Sequence, residues 1–307
     1  MKRILLSLGA IVFVGAVAAG ATGAFFSDTE TSTGNTFTAG SLDLKVDSQC
    51  HYFQNGKDVR CTNPGEQGPV SFGNWEQTDL IPGVHKFFDF GDIKPGDRGE
   101  STISLHVYDN DAWGTFHIVS TTNDSLDNTC TEPELEAEPG CQNNNVGELA
   151  GAMTTTVWLD QGSIPGFQNV GPTGVAVDAN PQQEGIQKPD PTEGDNILQE
   201  GETILVSGAP FFNTNFNLWT VLADAREATG EVCDNAPVDG HVQGDGVPYG
   251  TCNGLAVDGR MDGSTTYYIG WQWDLPSNVG NEVQTDSIKG DVVFNVVQHR
   301  NNPGHNF

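Results

Sequence analysis

Basic residues are scarce in this sequence. Its 307 residues contain 13 Lys and Arg against 41 Asp and Glu, which gives a formal net charge of −28 at pH 7. Nucleic acid and anionic lipid surfaces repel such a chain, so we expect neither as a partner. Divalent cations, or a salty medium that screens the repulsion, are its natural counterparts, although composition alone favours simple solubility.

Local catalytic motifs are also missing. The histidines, at positions 51, 85, 106, 117, 241, 299 and 305, form no H-E-x-x-H pair, and no two lie four residues apart. No serine lies in a G-x-S-x-G turn. We therefore predict that the protein is not an enzyme. A hydrolase is retained only as a minor alternative, because a catalytic triad needs no local motif.

Only one apolar run is long enough to span a membrane. It covers residues 4–21, follows two basic residues and leads into small residues that end at Ala24. This order is typical of a secretory signal, so we predict a signal peptide over residues 1–24, cleavage near Ala24 and an extracellular or cell-surface location. A retained membrane helix is the alternative, and this uncleaved segment would then be the chain's contact with the membrane.

The six cysteines lack the short C-x-x-C spacing of a zinc site. An even number in an exported chain favours disulfides. They fall into three couples with separations of 11, 11 and 19 residues, and each couple brackets a polar stretch rich in Gly, Asn or Pro. Local pairing is the simplest connectivity, and it predicts the bridges Cys50–Cys61, Cys130–Cys141 and Cys233–Cys252.

Alternation of apolar and polar residues recurs along the chain. In STISLHV, residues 101–107, the apolar residues Ile103, Leu105 and Val107 alternate with polar ones, as in a strand with one buried face. Gly and Pro separate this run from other short runs with strand character. Those runs are residues 42–46, 116–119, 154–159, 204–206, 266–273 and 292–297. We therefore predict an all-β fold, an antiparallel β-sandwich with long polar loops.

Two segments depart from the strand pattern. Apolar residues recur at helical spacing from Leu218 to Ala225, which predicts one short helix. From about residue 162 to residue 201 the chain is dominated by Gly, Pro, Asp, Asn and Gln without a sustained period, so we predict a loop insertion. No internal boundary is sharp enough to divide residues 42–307, which we expect to form a single sandwich domain.

The segment between the predicted signal and the first predicted strand reads FFSDTETSTGNTFTAGS, residues 25–41. It is rich in Thr and Ser and contains no Pro, which gives it fair β propensity. Its apolar content is too low for it to fold alone. Such a segment could pair with the edge of its own sheet or with the edge of a neighbouring subunit's sheet.

The same region resembles a known family. Residues 21–44, ATGAFFSDTETSTGNTFTAGSLDL, are similar to the junction of the TasA, CalY and camelysin proteins, which are exported through a SipW-type signal peptidase. Two further stretches resemble archaeal, and in particular haloarchaeal, members. They are residues 91–114, GDIKPGDRGESTISLHVYDNDAWG, and residues 270–298, GWQWDLPSNVGNEVQTDSIKGDVVFNVVQ. The resemblance covers both ends and the first third of the chain, but not residues 120–265.

The resemblance implies a jelly-roll-like sandwich whose subunits polymerise into extracellular fibres, pili or biofilm matrix by donor-strand exchange. The partner is then the chain itself, as a head-to-tail homopolymer, together with minor fibre subunits. The alternative is a monomeric cell-surface adhesin or carbohydrate-binding module. Camelysin has been classed as a metalloprotease, but the histidine spacing gives that activity no support. The resemblance places the following residues in the donor strand: Phe25, Phe26, Thr29, Thr31, Thr33 and Phe37.

Several acidic clusters in polar loops are candidates for calcium binding, because such loops supply the roughly six to eight oxygen ligands that calcium takes. None has the spacing of an EF-hand, and solvated turn residues are the simpler interpretation. We therefore expect no required cofactor, with Ca²⁺ as the one candidate. The carboxylates concerned are Asp109, Asp111, Asp190, Glu193, Asp195, Asp239, Asp245, Asp258 and Asp262.

Two further surface roles are considered. Asn123 begins the sequon N-D-S and could carry a glycan if its loop is exported. Alternating aromatic residues between Tyr267 and Trp273 could line a sugar groove. Because Trp271 and Trp273 share one face of a predicted strand, we expect them to pack in the core instead.

Overall fold

Antiparallel strands dominate the structure, a computed structural model that describes residues 42–54, 57–61, 71–120, 130–141, 147–167, 190–212, 214–229, 251–263 and 265–307. Several predictions fall on other residues, lie outside the described ranges and stay predictions. They concern the signal peptide, the donor segment, Asn123, Cys233, Asp239 and Asp245.

Fourteen strands are formed within the described ranges. They are β1 Asp43–Gln54, β2 Lys57–Arg60, β3 Ser71–Phe72, β4 Trp75–Thr78, β5 His85–Lys86, β6 Arg98–Tyr108, β7 Ala112–Ser120, β8 Thr154–Leu159, β9 Thr203–Pro210, β10 Thr214–Asn217, β11 Thr251–Cys252, β12 Leu255–Ala256, β13 Thr266–Asp274 and β14 Gly290–Gln298. Each predicted strand run overlaps one of them, namely β1, β6, β7, β8, β9, β13 or β14. The same ranges contain helices α1 Glu132–Ala137, α2 Leu149–Ala152 and α3 Leu218–Ala228, and a 3-10 turn, Asn281–Val283.

Two main sheets carry most of these strands. The larger sheet has the order β2-β1-β6-β13-β8-β9, with β4 also paired to β1, and the smaller sheet has the order β10-β7-β14. All strand pairs within these two sheets are antiparallel. Apolar side chains from both sheets meet in one core. The fold is therefore an all-β antiparallel sandwich, as the sequence predicts.

Alternation in the two central strands of the larger sheet determines which side chains enter the core. In β6, Ile103, Leu105 and Val107 are at most 1% exposed. In the neighbouring β13, Trp271 is 2% exposed and Trp273 is 4% exposed. The prediction that both tryptophans pack in the core is confirmed. Neither side chain is available as an exposed platform for a sugar ring.

Helix α3 confirms the predicted helix. Leu218, Leu222 and Ala225 are its buried residues, and Asn217 is its N-cap. Helices α1 and α2 were not predicted, because with six and four residues they are too short for a helical period to show in the sequence. No helix in the described ranges is long and apolar enough to cross a membrane. The described parts of the predicted loop insertion, residues 162–167 and 190–201, contain neither helix nor strand.

Two of the three predicted disulfides are present. Cys50 is bonded to Cys61 with a Cα–Cα distance of 5.6 Å, and Cys130 is bonded to Cys141 with a Cα–Cα distance of 6.0 Å. The first bridge is buried and packs against Tyr52, whereas both cysteines of the second are partly exposed. The third predicted pair lies outside the part of the chain whose side chains are described and stays a prediction.

Replacing both Cys50 and Cys61 by Ser should lower the free energy of unfolding by about 3 kcal/mol through chain entropy alone. The packing of this buried bridge should add to that loss. The double variant Cys130→Ser, Cys141→Ser is the matched control, because both bridges have a sequence separation of 11. Urea denaturation followed by circular dichroism should show the larger loss for the first variant. Equal losses would mean that burial of the bridge adds nothing.

Candidate functional site

Strand β14 forms one edge of the smaller sheet. It pairs with β7 without a shift in register, from Gly290 opposite Ser120 to Gln298 opposite Ala112. No strand in the described ranges pairs with its other side. Nine residues of extended chain therefore present a backbone edge that is about 30 Å long. Such an edge is a template for the addition of another strand.

The side chains of β14 fall on two faces. Val292, Phe294 and Val296 pack against the core on the inner face, yet all three remain partly exposed. In the adjacent β7, by contrast, Phe116 and Ile118 are 0% exposed. The core is thus fully covered at β7 and incompletely covered at β14. One more strand beside β14 would bury the remaining apolar surface.

An aromatic cluster lies at the middle of this edge. The ring of Phe294 stacks on that of Phe116, with 5.1 Å between centroids, and meets the ring of Phe87 edge-on at 6.0 Å. Phe87 also contacts Trp75, at 4.9 Å. An incoming phenylalanine would find aromatic neighbours here, and such pairs contribute about 0.5–1.5 kcal/mol beyond area burial.

Three other sheet edges carry features that hinder strand addition. β9 has register shifts against β8 and ends in Pro210. β2 has only four residues, three of them charged, and the four residues of β10 run directly into α3. β14 contains no Pro, Lys or Arg, and Asp291 is its one charged residue. Because natural sheets protect their exposed edges with such features, β14 stands out as an unprotected edge.

The described chain enters the sandwich at the end where β14 finishes. β1 begins with Asp43 opposite Tyr108, the last residue of β6. A three-residue turn joins β6 to β7, whose first residue, Ala112, lies opposite Gln298. The predicted donor residues precede this point and lie outside the described ranges. Their pairing with β14 therefore stays a prediction. They are Phe25, Phe26, Thr29, Thr31, Thr33 and Phe37.

An arginine is the partner of two carboxylates that were predicted to bind calcium. Arg260 is 2% exposed, and it donates to Asp111 Oδ2 at 2.9 Å and to Asp258 Oδ1 at 3.1 Å. Burial lowers the pKa of Arg260, but the carboxylates of Asp258, Asp111 and Asp262 outweigh it and leave the pKa above its ordinary value. Asp109 lies two residues before Asp111, in the turn between β6 and β7. Asp111, Asp258 and Asp262 therefore already have a buried cationic partner in Arg260.

The remaining predicted calcium residues in the described ranges lie in the loop before β9. They are Asp190, Glu193 and Asp195. Asp160 and Glu202, two acids that the sequence analysis missed, belong to the same region. No group of three or more His, Cys, Asp and Glu side chains in the described ranges is arranged to hold a metal ion. Calcium binding therefore stays a prediction.

A carboxylate, an imidazole and a hydroxyl form a chain across three neighbouring strands. His106 Nε2 lies 2.6 Å from Asp47 Oδ2, and His106 Nδ1 lies 3.0 Å from Thr266 Oγ1. The same groups occur in hydrolases, but there the hydroxyl is a nucleophile beside donors that stabilise an oxyanion. Here Thr266 lies directly opposite His106 in the register, as a cross-strand pair that ties β13 to β6. The absence of enzymatic activity stays a prediction.

Comparison of the chain with protein-family models gives no match, and comparison with the curated proteins gives no significant match. The resemblance to the TasA, CalY and camelysin family therefore depends on the quoted stretches of sequence. The geometry of the β14 edge does not test this family resemblance, which stays a prediction.

Proposed function

We propose that this protein is an extracellular structural subunit that polymerises head to tail into surface fibres by donor-strand exchange. Residues 25–41 of one molecule, the donor segment, add to β14 of the next, so that the smaller sheet gains a strand. The observation that carries the proposal is the unprotected nine-residue edge of β14 with its incompletely covered inner face. Because the contact joins two different surfaces, it does not close on itself and it generates filaments.

The length of the donor segment fits this role. Its 17 residues reach about 56 Å when extended, whereas pairing along the whole of β14 takes about 30 Å. Roughly eight residues then remain to connect the donor strand to the body of its own subunit. The two described disulfides and the predicted signal peptide support an extracellular location.

The energetics favour exchange only when the acceptor is already ordered. Ordering the donor costs about 1–2 kcal/mol per residue. Each ladder hydrogen bond returns about 0.5–1.5 kcal/mol, and each buried phenylalanine about 1.5–3 kcal/mol. For a strand of nine residues these contributions nearly cancel. We therefore expect contacts between the bodies of neighbouring subunits to add to the stability of the fibre.

The direction of the added strand distinguishes donor-strand exchange between molecules from pairing of the donor segment with β14 of its own chain. Because the chain enters at the end where β14 finishes, its own preceding residues would lie beside β14 as a parallel strand. An antiparallel strand from the same chain would have to run along β14 and then return, which takes about 20 residues. The donor segment has 17. A donor from another molecule is free to pair antiparallel, as all strands of both sheets do.

Mixing two single-cysteine variants tests the proposal. Ser32 lies on the opposite face of an extended donor from Phe37, and Asn295 is exposed on the outer face of β14. We expect Ser32→Cys and Asn295→Cys subunits, mixed and treated with a short bis-maleimide, to form a covalent heterodimer that is visible on a denaturing gel. Neither variant alone should give this product.

Ser207→Cys is the matched control, because Ser207 is exposed on β9, at the far edge of the larger sheet. Subunits carrying it should not cross-link to Ser32→Cys. Donor exchange at β14 is contradicted if Ser207→Cys cross-links as well as Asn295→Cys. It is also contradicted if the double variant Ser32→Cys, Asn295→Cys yields only cross-links within single chains. The latter result would favour the monomeric adhesin.

A further inference from the structure

Buried carboxylates join two loops beyond the end of β8. Asp160, which is 0% exposed, accepts hydrogen bonds from the backbone N–H groups of Gly194 at 3.1 Å and of Asn196 at 2.9 Å. Glu202, which is 8% exposed, accepts from the N–H of Gly162 at 2.7 Å. Each carboxylate therefore connects the segment 160–164 to the segment 190–202.

Asp190 adds a third connection between the same segments. Its carboxylate accepts from the N–H of Ile164 at 2.6 Å, from Ser163 Oγ at 3.0 Å, and from both the N–H and the hydroxyl of Thr192. Burial alone would raise the pKa of Asp190, but these hydrogen bonds lower it below its ordinary value. The bonds from Ser163 and Ile164 to Asp190 therefore hold the segment 160–164 against the segment 190–202.

Within the part of the chain that the structure describes, no basic side chain pairs with the acidic loop cluster, which consists of Asp160, Asp190, Asp195 and Glu202. Within the described residues, none of the four forms an ion pair with Lys, Arg or His. Burial, with a smaller effect of Asp195, raises the pKa of Asp160 to about 6. Burial, with the nearby carboxylates, raises the pKa of Glu202 to about 7. The cluster therefore contrasts with Asp111 and Asp258, which share an arginine.

Amide side chains inside the cluster leave buried polar atoms without partners. Asn196 is 5% exposed, and neither its Oδ1 nor its Nδ2 has a hydrogen-bond partner in the described structure. The backbone of Asn196 belongs to the cluster, because its own N–H donates to Asp160 Oδ2 and it follows Asp195 in the chain. Gln199 donates from Nε2 to Asp195 Oδ1 at 2.9 Å, while its buried Oε1 has no partner.

Gln161 belongs to the same group of amides. It is 3% exposed, and its Nε2 has no partner in the described structure. Rotation of an amide about its last torsion exchanges the oxygen and nitrogen positions, so this side chain can also present an oxygen. Buried polar atoms without partners are rare in folded proteins, and here several of them lie in the same loops as carboxylates that have hydrogen-bond donors but no ion-pair partner within the described residues.

We propose that the acidic loop cluster and the amide oxygens of Asn196 and Gln199 form a calcium site. Carboxylate and amide oxygens are hard ligands, and calcium accepts an irregular set of about six to eight of them, whereas magnesium requires near-octahedral geometry. The His, Cys, Asp and Glu side chains of the described residues form no metal-binding group by themselves, so the proposed site requires the amide oxygens as additional ligands. Bound calcium would neutralise the buried charge and fix the two loops to each other.

Calorimetric titration of the EDTA-treated mature protein with calcium chloride tests this site. We expect binding that is weakened about tenfold or more by Asn196→Gly and by Gln199→Met. Glycine is chosen because Asn196 has a left-handed backbone with φ of 65°. Asp92→Asn is the control, because the Asp92 side chain is 85% exposed and lies outside the cluster. This variant should bind calcium as the unmodified protein does.

Hydrogen exchange on the unmodified protein provides a readout that does not depend on folding of the variants. Calcium should slow exchange at the N–H groups of Gly162, Ile164, Gly194 and Asn196. The site is contradicted if the protein binds no calcium at about 1 mM, the weak end of known calcium affinities. It is equally contradicted if calcium slows exchange only outside the two loops, or if both amide variants fold and bind calcium unchanged.

Discussion

A mature chain that lacks residues 25–41 should form no fibres, although its sandwich should remain folded. The described fold begins at residue 42, and side chains of both main sheets form its buried core without any residue of the donor segment. Removal of the segment deletes the strand that links one subunit to the next, so polymerisation should fall below detection. Negative-stain electron microscopy and light scattering measure the loss, and circular dichroism checks that the body is folded.

The truncated chain also offers a second, more specific readout. It keeps the β14 edge, so it can accept a donor from an intact subunit but cannot donate to the next one. Added to intact protein at a low molar ratio, it should cap growing ends and shorten the fibres. Fibres built by the truncated chain alone would contradict donor exchange, and so would intact fibres whose length is insensitive to its addition.

Val292→Lys should abolish or strongly weaken polymerisation, whereas Val293→Lys should have little effect. Val292 lies on the inner face of β14 and Val293 on the outer face of the same strand. An incoming donor would lose the burial of a valine and would have to desolvate a charge, for a total of about 3 kcal/mol or more. The concentration needed for assembly should therefore rise by about 100-fold or more.

The two variants introduce the same side chain at neighbouring positions of β14. Any difference in assembly between them therefore depends on which face of the strand carries the lysine. Because Val292 is only partly buried in the monomer, the lysine stem can extend past the edge and the sandwich should stay folded. Thermal unfolding of the monomers checks this point. If Val293→Lys impairs assembly as much as Val292→Lys does, the inner face of β14 is not the acceptor.

Sequence alone predicted the long strands because their alternation is a local property. The runs around Ile103 in β6 and Trp271 in β13 have one buried face, and the burial of both residues follows the expected period. The helix at Leu218 was predicted for the same reason. Each of these elements repeats its pattern often enough for the period to be detected without knowledge of its neighbours.

The short strands and the order of the sheets could not be predicted in this way. β3, β5, β11 and β12 have two residues each, which is too short for any period. Whether β14 lies at an edge depends on which strands pair with it, and this is not visible in its sequence, which is as apolar as that of a buried strand. Only the position of β14 beside β7, with no described strand on its other side, distinguishes it.

The acidic residues illustrate the same limit. Asp190, Glu193 and Asp195 form a visible cluster in the sequence, but Asp160 lies 30 positions before Asp190 and joins it only through folding. The same acidic composition predicted Asp111 and Asp258 as calcium ligands, yet a buried arginine, Arg260, pairs with both of them. Local composition therefore cannot separate carboxylates that already have a cationic partner from those that lack one.

Electron cryo-microscopy of fibres assembled from the mature protein tests the central proposal most directly. We expect density for residues 25–41 of each subunit to lie as an added strand along β14 of the adjacent subunit, with phenylalanine side chains beside Phe294. Density that shows these residues paired only with their own sandwich, or joined to a different edge of the neighbour, would contradict the proposal.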